Sequence, residues 1–153
     1  MAVAEQTAVQ PTTGFALGQR LVAGGVGGLI GGVAFGVIMQ TLGMIPMVAM
    51  LVGSESALVG WGIHLGISVA LGLGYGLVVA RPSWSLATGI GLGAGYGVIW
   101  WVLGALLLMP AKLGMPTLTW STAAGQSLIG HVVFGVLLGA TYTLLLRRPT
   151  FRS

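Results

Sequence analysis

His64 and His131 are the only histidines in a chain of 153 residues that has no cysteine, and each opens the same pattern. The first reads His64-x3-Ser68-x3-Gly72-x2-Tyr75 and the second His131-x3-Gly135-x3-Gly139-x2-Tyr142. Steps of four, four and three keep all four residues on one helix face. Three roles fit a histidine so placed. The structural one is a neutral ring donating to a carbonyl or hydroxyl on a neighbouring helix. The second is axial ligation of haem b or chlorophyll by both imidazoles, with the following glycines leaving room for a macrocycle. The third is a proton or cation path, since histidine titrates near neutrality and Tyr75 and Tyr142 could extend a relay. No buried acid is available to complete it.

Methionine adds a weaker signal. Met39, Met44, Met47, Met50, Met109 and Met115 gather near the level of the histidines. Thioethers suit Cu(I), although adaptable packing is the ordinary use of methionine. Hydrolytic chemistry has no support. Both acids are glutamates, Glu5 and Glu55, so neither a paired carboxylate nor a Ser/His/acid set can be assembled. The glycine-rich stretch 89–97 is not a dinucleotide fingerprint, which needs a preceding strand within a βαβ unit. No enzymatic activity is expected.

The elements that position these residues follow from the charges. Between Arg20 and Arg147 the chain carries only Glu55, Arg81 and Lys112, leaving uncharged runs at 21–54, 56–80, 82–111 and 113–146. Each exceeds the roughly 20 residues a helix needs to cross a bilayer. The charged fraction of 5% is far below the ~25% of soluble domains. Helices are expected at 19–45, 57–80, 84–109 and 123–146. They form one membrane domain (19–146) between an N-terminal tail (1–18) and a basic C-terminal tail (147–153). Pro46 and Pro110 are expected to end the first and third helices, and Arg81-Pro82 to make the turn between the second and third. Trp61, Trp84, Trp101 and Trp120 are expected near interfaces. Trp100 and Trp101 lie deeper and face lipid or a partner, while Gln40, Gln126 and Ser127 cap or bridge helices.

Residues 1–19 lack the positive start and apolar centre of a signal peptide, so the first span is expected to remain as an anchor. Arg20, Arg81, Arg147, Arg148 and Arg152 fall on one side of a four-span topology, against Lys112 on the other. The positive-inside rule then places both termini in the cytoplasm and the chain in the cytoplasmic membrane. Three clustered C-terminal arginines suit anionic lipid heads and are too few for nucleic-acid binding.

Glycine is the other anomaly, with 28 residues. Gly24, Gly28, Gly32, Gly36 and Gly43 share one face of the first helix. Gly89, Gly93, Gly97 and Gly104 repeat that stripe in the third at an offset of 61, and the histidine stripes repeat at an offset of 67. Small-xxx-small faces of this kind allow close backbone contact between membrane helices. A glycine-lined pore or cofactor slot is the functional alternative. The two offsets suggest two copies of a helical hairpin related by an axis along the membrane normal, with the six extra residues in the second outer loop.

The segment Gly130-His131-x-x-Phe134-Gly135-x-x-Leu138-Gly139-x-x-Tyr142, with the Trp pair and Met-Pro within residues 96–114, resembles small four-helix membrane proteins of bacteria and archaea classed as domains of unknown function. That resemblance implies the same architecture and assigns no activity. The expectation is therefore an all-α membrane protein: two parallel-repeat hairpins, packed through glycine seams into a four-helix bundle. Its expected role is a non-enzymatic scaffold or accessory subunit that self-associates or joins a larger membrane complex. A haem or chlorophyll anchor and a small channel or transporter are the alternatives.

Overall fold

The computed structural model describes residues 17–79 and 85–148. The expected Arg81-Pro82 turn, Trp84, Arg152 and most of the N-terminal tail lie outside the described residues. The elements are α1 (Leu17–Thr41), α2 (Ile45–Ala49), a 3₁₀ turn (Met50–Val52), α3 (Ala57–Val78), α4 (Leu86–Trp100), a π-helical stretch (Trp101–Leu108), α5 (Met109–Lys112) and α6 (Thr122–Arg147). Residues Leu86–Lys112 form one continuous span. With α1, α3 and α6 it gives four helices long and apolar enough to cross a membrane. The chain is an all-α, multi-pass membrane protein.

Helix ends follow local chemistry. α1 stops at Thr41 rather than near residue 45. Gly43 takes φ +69°, and Met44 N–H bonds back to Met39 O at 2.8 Å, a glycine-terminated Schellman ending. Gly43 therefore ends a helix instead of packing one. Pro46 begins α2 at its first turn, where its missing N–H costs nothing. Pro110 does not end the third span either. A proline inside a helix clashes with the carbonyl four residues earlier and leaves it unbonded. Here the helix widens into the π stretch before Pro110, and the freed Leu106 O accepts the Leu118 N–H at 2.8 Å. The span then closes on Gly114, φ +68°. In the 61-residue register Thr41 corresponds to Val102, so the third span continues through Lys112 where α1 has already stopped.

The principal helix pairs are α1–α3, α4–α6 and α1–α6. The backbones lie in the order α3–α1–α6–α4, and α3 and α4 meet through side chains rather than close backbone contact. Within α1–α3, Gly28 meets Gly72, Gly32 meets Ser68 and Gly36 meets His64 and Trp61. Within α4–α6, Gly89 meets Gly139, Gly93 meets Gly135 and Gly97 meets His131. A Cβ at Gly24, Gly72, Gly93, Gly97, Gly135 or Gly139 would overlap backbone atoms of the facing helix. Gly27 and Gly31 give α1 a second such face, against Leu138 and Phe134 of α6.

At the Arg147 end, three tyrosines fill the space between α3, α4 and α6. Tyr75 packs edge-on against Tyr142 and Tyr96, with centroids 5.2 and 5.1 Å away. Arg20 donates to Gly76 O at 3.0 Å and to Leu77 O, satisfying terminal carbonyls of α3 where a cation also suits the helix dipole.

Candidate functional site

Towards the Lys112 end the space between α3 and the third span becomes a cavity of about 620 Å³. Phe35 and Met39 of α1 and Ala124, Ser127 and His131 of α6 form its back. His64, Ile67 and Leu71 of α3 form one wall. Trp100, Gly104, Ala105 and Leu108 of the third span form the other. Met44, then Met47 and Val48 of α2, and Met109, Lys112 and Met115 close it towards the membrane surface. The π stretch supplies much of the second wall; π turns commonly accompany functional sites.

His64 lies seven residues into α3 and His131 nine into α6. At 1.5 Å per residue, both rings sit roughly 10–14 Å from the Lys112 end of their helices. His64 donates Nε2–H to Gly32 O at 2.9 Å, which ties α3 to α1. Its ring fits beside Gly36 because that position has no Cβ. Trp61 stands edge-on to His64 at 6.2 Å and donates to Gln40 Oε1 at 3.0 Å. His131 is held differently. Its Nδ1–H points to Ser127 O, 2.8 Å away and one turn earlier on its own helix.

Phe35 joins the two rings. Its centroid is 5.3 Å from that of His64 and 4.7 Å from that of His131, both edge contacts. The phenyl ring occupies space that any Cβ at Gly130 would fill. Sequence alone assigns no separate role to Phe35, Gly130, Gly27 or Gly31. Gly27 and Gly31 had a signal, a second spacing of four on α1. The pairing of Phe35 with Gly130 had none, because it joins residues of different helices far apart in the chain.

The sequence grouped Tyr75 and Tyr142 with the histidines, but the structure separates them. Tyr142 donates to Val79 O at 2.5 Å and Tyr96 to Leu71 O at 2.8 Å. These bonds end on backbone carbonyls, so they do not link the tyrosines to the histidines. The macrocycle slot is also filled. Gly72 is packed against α1, and Gly135 and Gly139 against α4, so the room those glycines were expected to leave for haem or chlorophyll is occupied by backbone. Gly104 is not a packing residue, since nothing lies within 4 Å of a Cβ built there; it opens onto the cavity instead. Trp101 does not face lipid with its polar edge but donates to Ala124 O of α6 at 3.0 Å, and Trp100 lines the cavity. Of the methionines grouped by sequence, Met39, Met44, Met47, Met109 and Met115 reach the cavity, while Met50 is exposed elsewhere.

No protein-family model, curated protein sequence or solved structure matches the chain. The geometry of the cavity therefore carries the functional argument alone.

Proposed function

We propose that the protein is a non-catalytic accessory subunit of the cytoplasmic membrane that holds an apolar small molecule in the leaflet at its Lys112 end. The observation that carries this reading is the cavity. Its volume of about 620 Å³ falls in the range of ligand sites, roughly 300–1,000 Å³, and its apolar walls with a few converging polar groups have the usual make-up. A molecule dissolved in lipid could reach it through the gap between α3 and the third span. The arginines at the Arg147 end support cytoplasmic termini, and with that orientation the cavity would face the outer leaflet. The corresponding contact registers of α1–α3 and α4–α6 support an origin in two parallel hairpins held by glycine seams.

Organic extraction of the protein from lipid nanodiscs, followed by mass spectrometry, tests the reading. An apolar species should be enriched over empty nanodiscs and lost from Gly104→Trp, which fills the cavity from a position that touches nothing. Identical extracts from both proteins would refute it.

A second reading, self-association, is favoured by one observation. Gly62 and Gly66 on α3, and Gly91 and Gly95 on α4, have nothing within 4 Å of a built Cβ. Such faces suit close contact with another membrane helix. Native mass spectrometry from mild detergents should show an oligomer, and a uniform monomer would exclude it.

A further inference from the structure

Both histidines line the cavity, and each has one ring nitrogen that can only accept. His64 gives its Nε2 hydrogen to Gly32 O, and His131 gives its Nδ1 hydrogen to Ser127 O. A carbonyl oxygen accepts and never donates, so these partners fix which nitrogen carries the hydrogen. A charged group within hydrocarbon is costly, and a neutral imidazole has one N–H. His64 Nδ1 and His131 Nε2 therefore present lone pairs. Cδ2 of His64 is the atom that faces Gly36, which turns Nδ1 towards the opposite edge of the ring. Among the described residues no buried side-chain nitrogen or oxygen lacks a partner. These two nitrogens, which have no partner, are therefore not sealed inside the protein, and both rings line the cavity.

Two acceptors deep in an apolar cavity select a ligand that brings donors. They sit on different helices, α3 and α6, with the Phe35 ring in edge contact with both. One hydroxyl would satisfy one of them. A flat ring with hydroxyls at opposite ends could reach both while lying against Phe35. The Ser127 hydroxyl, 3.4 Å from His131 Nδ1, can donate or accept and so does not discriminate.

We propose that the cavity binds a hydroquinone bearing an apolar tail. Its two hydroxyls donate to His64 Nδ1 and His131 Nε2, and its tail leaves between α3 and the third span into lipid. This rests on the cavity reading above and adds the ligand's chemical class. The oxidised quinone would set carbonyl lone pairs against imidazole lone pairs. The site therefore retains the reduced form and releases the oxidised one. No electron transfer is assigned to the protein.

The test is anaerobic calorimetric titration of the full-length protein in nanodiscs with decyl-hydroquinone, its dimethyl ether and the corresponding quinone, corrected against empty nanodiscs. The hydroquinone should bind at least roughly tenfold more tightly than the ether or quinone, the worth of one to two neutral hydrogen bonds. His131→Phe should abolish that preference while leaving ether binding in place. Because His131 is bonded within its own helix, this variant keeps the tie between α1 and α3. In ¹⁵N-histidine-labelled wild-type protein, the unprotonated imidazole nitrogens should shift with hydroquinone and stay unmoved with the ether. Equal binding of the three compounds, or a preference for quinone, would overturn the hydroquinone assignment and leave the cavity reading intact. Binding of none of them, with the same extracts from wild type and Gly104→Trp, would remove both.

Discussion

The α1–α3 and α4–α6 hairpins carry the same histidine, small-residue and tyrosine face, yet each uses it differently. In the first, His64 bonds across to α1 and the facing glycines are backed by Ser68 and Gly72. In the second, His131 bonds to the Ser127 carbonyl of its own helix. The aromatic that precedes each paired glycine also diverges. Phe35 turns inward between the histidines, whereas its counterpart Tyr96 reaches across to Leu71 O of α3. The helices themselves differ in place. α1 has glycine on two faces and sits at the centre, while the positions matching Gly27 and Gly31 on α4 are Thr88 and Leu92. With only one face open to close approach, α4 stays at the edge. Small residues thus line the contacts of both pairs, and the residues at which the two helix pairs differ accompany the difference in their surroundings.

Gly28→Leu and Gly93→Leu probe the shared part of the comparison. Each puts a side chain into the backbone of the partner helix, so both should destabilise by about 3 kcal/mol or more, the upper end of overpacking costs. Thermal unfolding in detergent should show similar losses for the two, and a benign result in one hairpin would break their equivalence. Phe35→Ala and Tyr96→Phe probe the divergent part. Removing the Phe35 ring leaves a void against Gly130 and both histidines and should cost about 2–3 kcal/mol, somewhat below the range for soluble cores because lipid is itself apolar. Tyr96→Phe gives up one hydrogen bond and should cost about 1 kcal/mol. If the two prove equal, the inward and outward aromatics are not distinct in energy. Tyr142→Phe, which loses the bond to Val79 O, should likewise cost about 1 kcal/mol by the same assay. The smallest effect belongs to Gly95→Ala. Its Cβ meets nothing, so monomer stability should change within roughly 0.5 kcal/mol. A large drop would show that this face is covered, and a change of oligomer size on native mass spectrometry would identify the cover as another copy.

Much of the fold was legible because it rests on one-dimensional properties. Sparse charge marked four spans, and glycine spacing marked the faces at which α1 meets α3 and α4 meets α6. Helix ends were less legible. Pro46 and Pro110 read as terminators, but proline is well suited to the first turn of a helix, and in the third span the π widening absorbed the clash. Gly43 and Gly104 fitted the stripe by spacing, but one ends a helix and the other borders empty space. The candidate site was legible in its histidines and not in its shape. Tyr75 and Tyr142 share the histidine face of their helices, but they lie about three turns away, outside the cavity.

Composition and local periodicity by themselves determined that the chain crosses a membrane four times, with histidine and glycine on shared helix faces, since hydration cost and helical geometry act residue by residue. Only the tertiary structure decided that α3 and α4 meet through Tyr75 and Tyr96 and not through glycines, that Phe35 bridges the histidines and that each imidazole gives its hydrogen to a carbonyl. Those outcomes depend on which surfaces meet when four helices pack at once, and that choice is settled by contacts between residues distant in the chain.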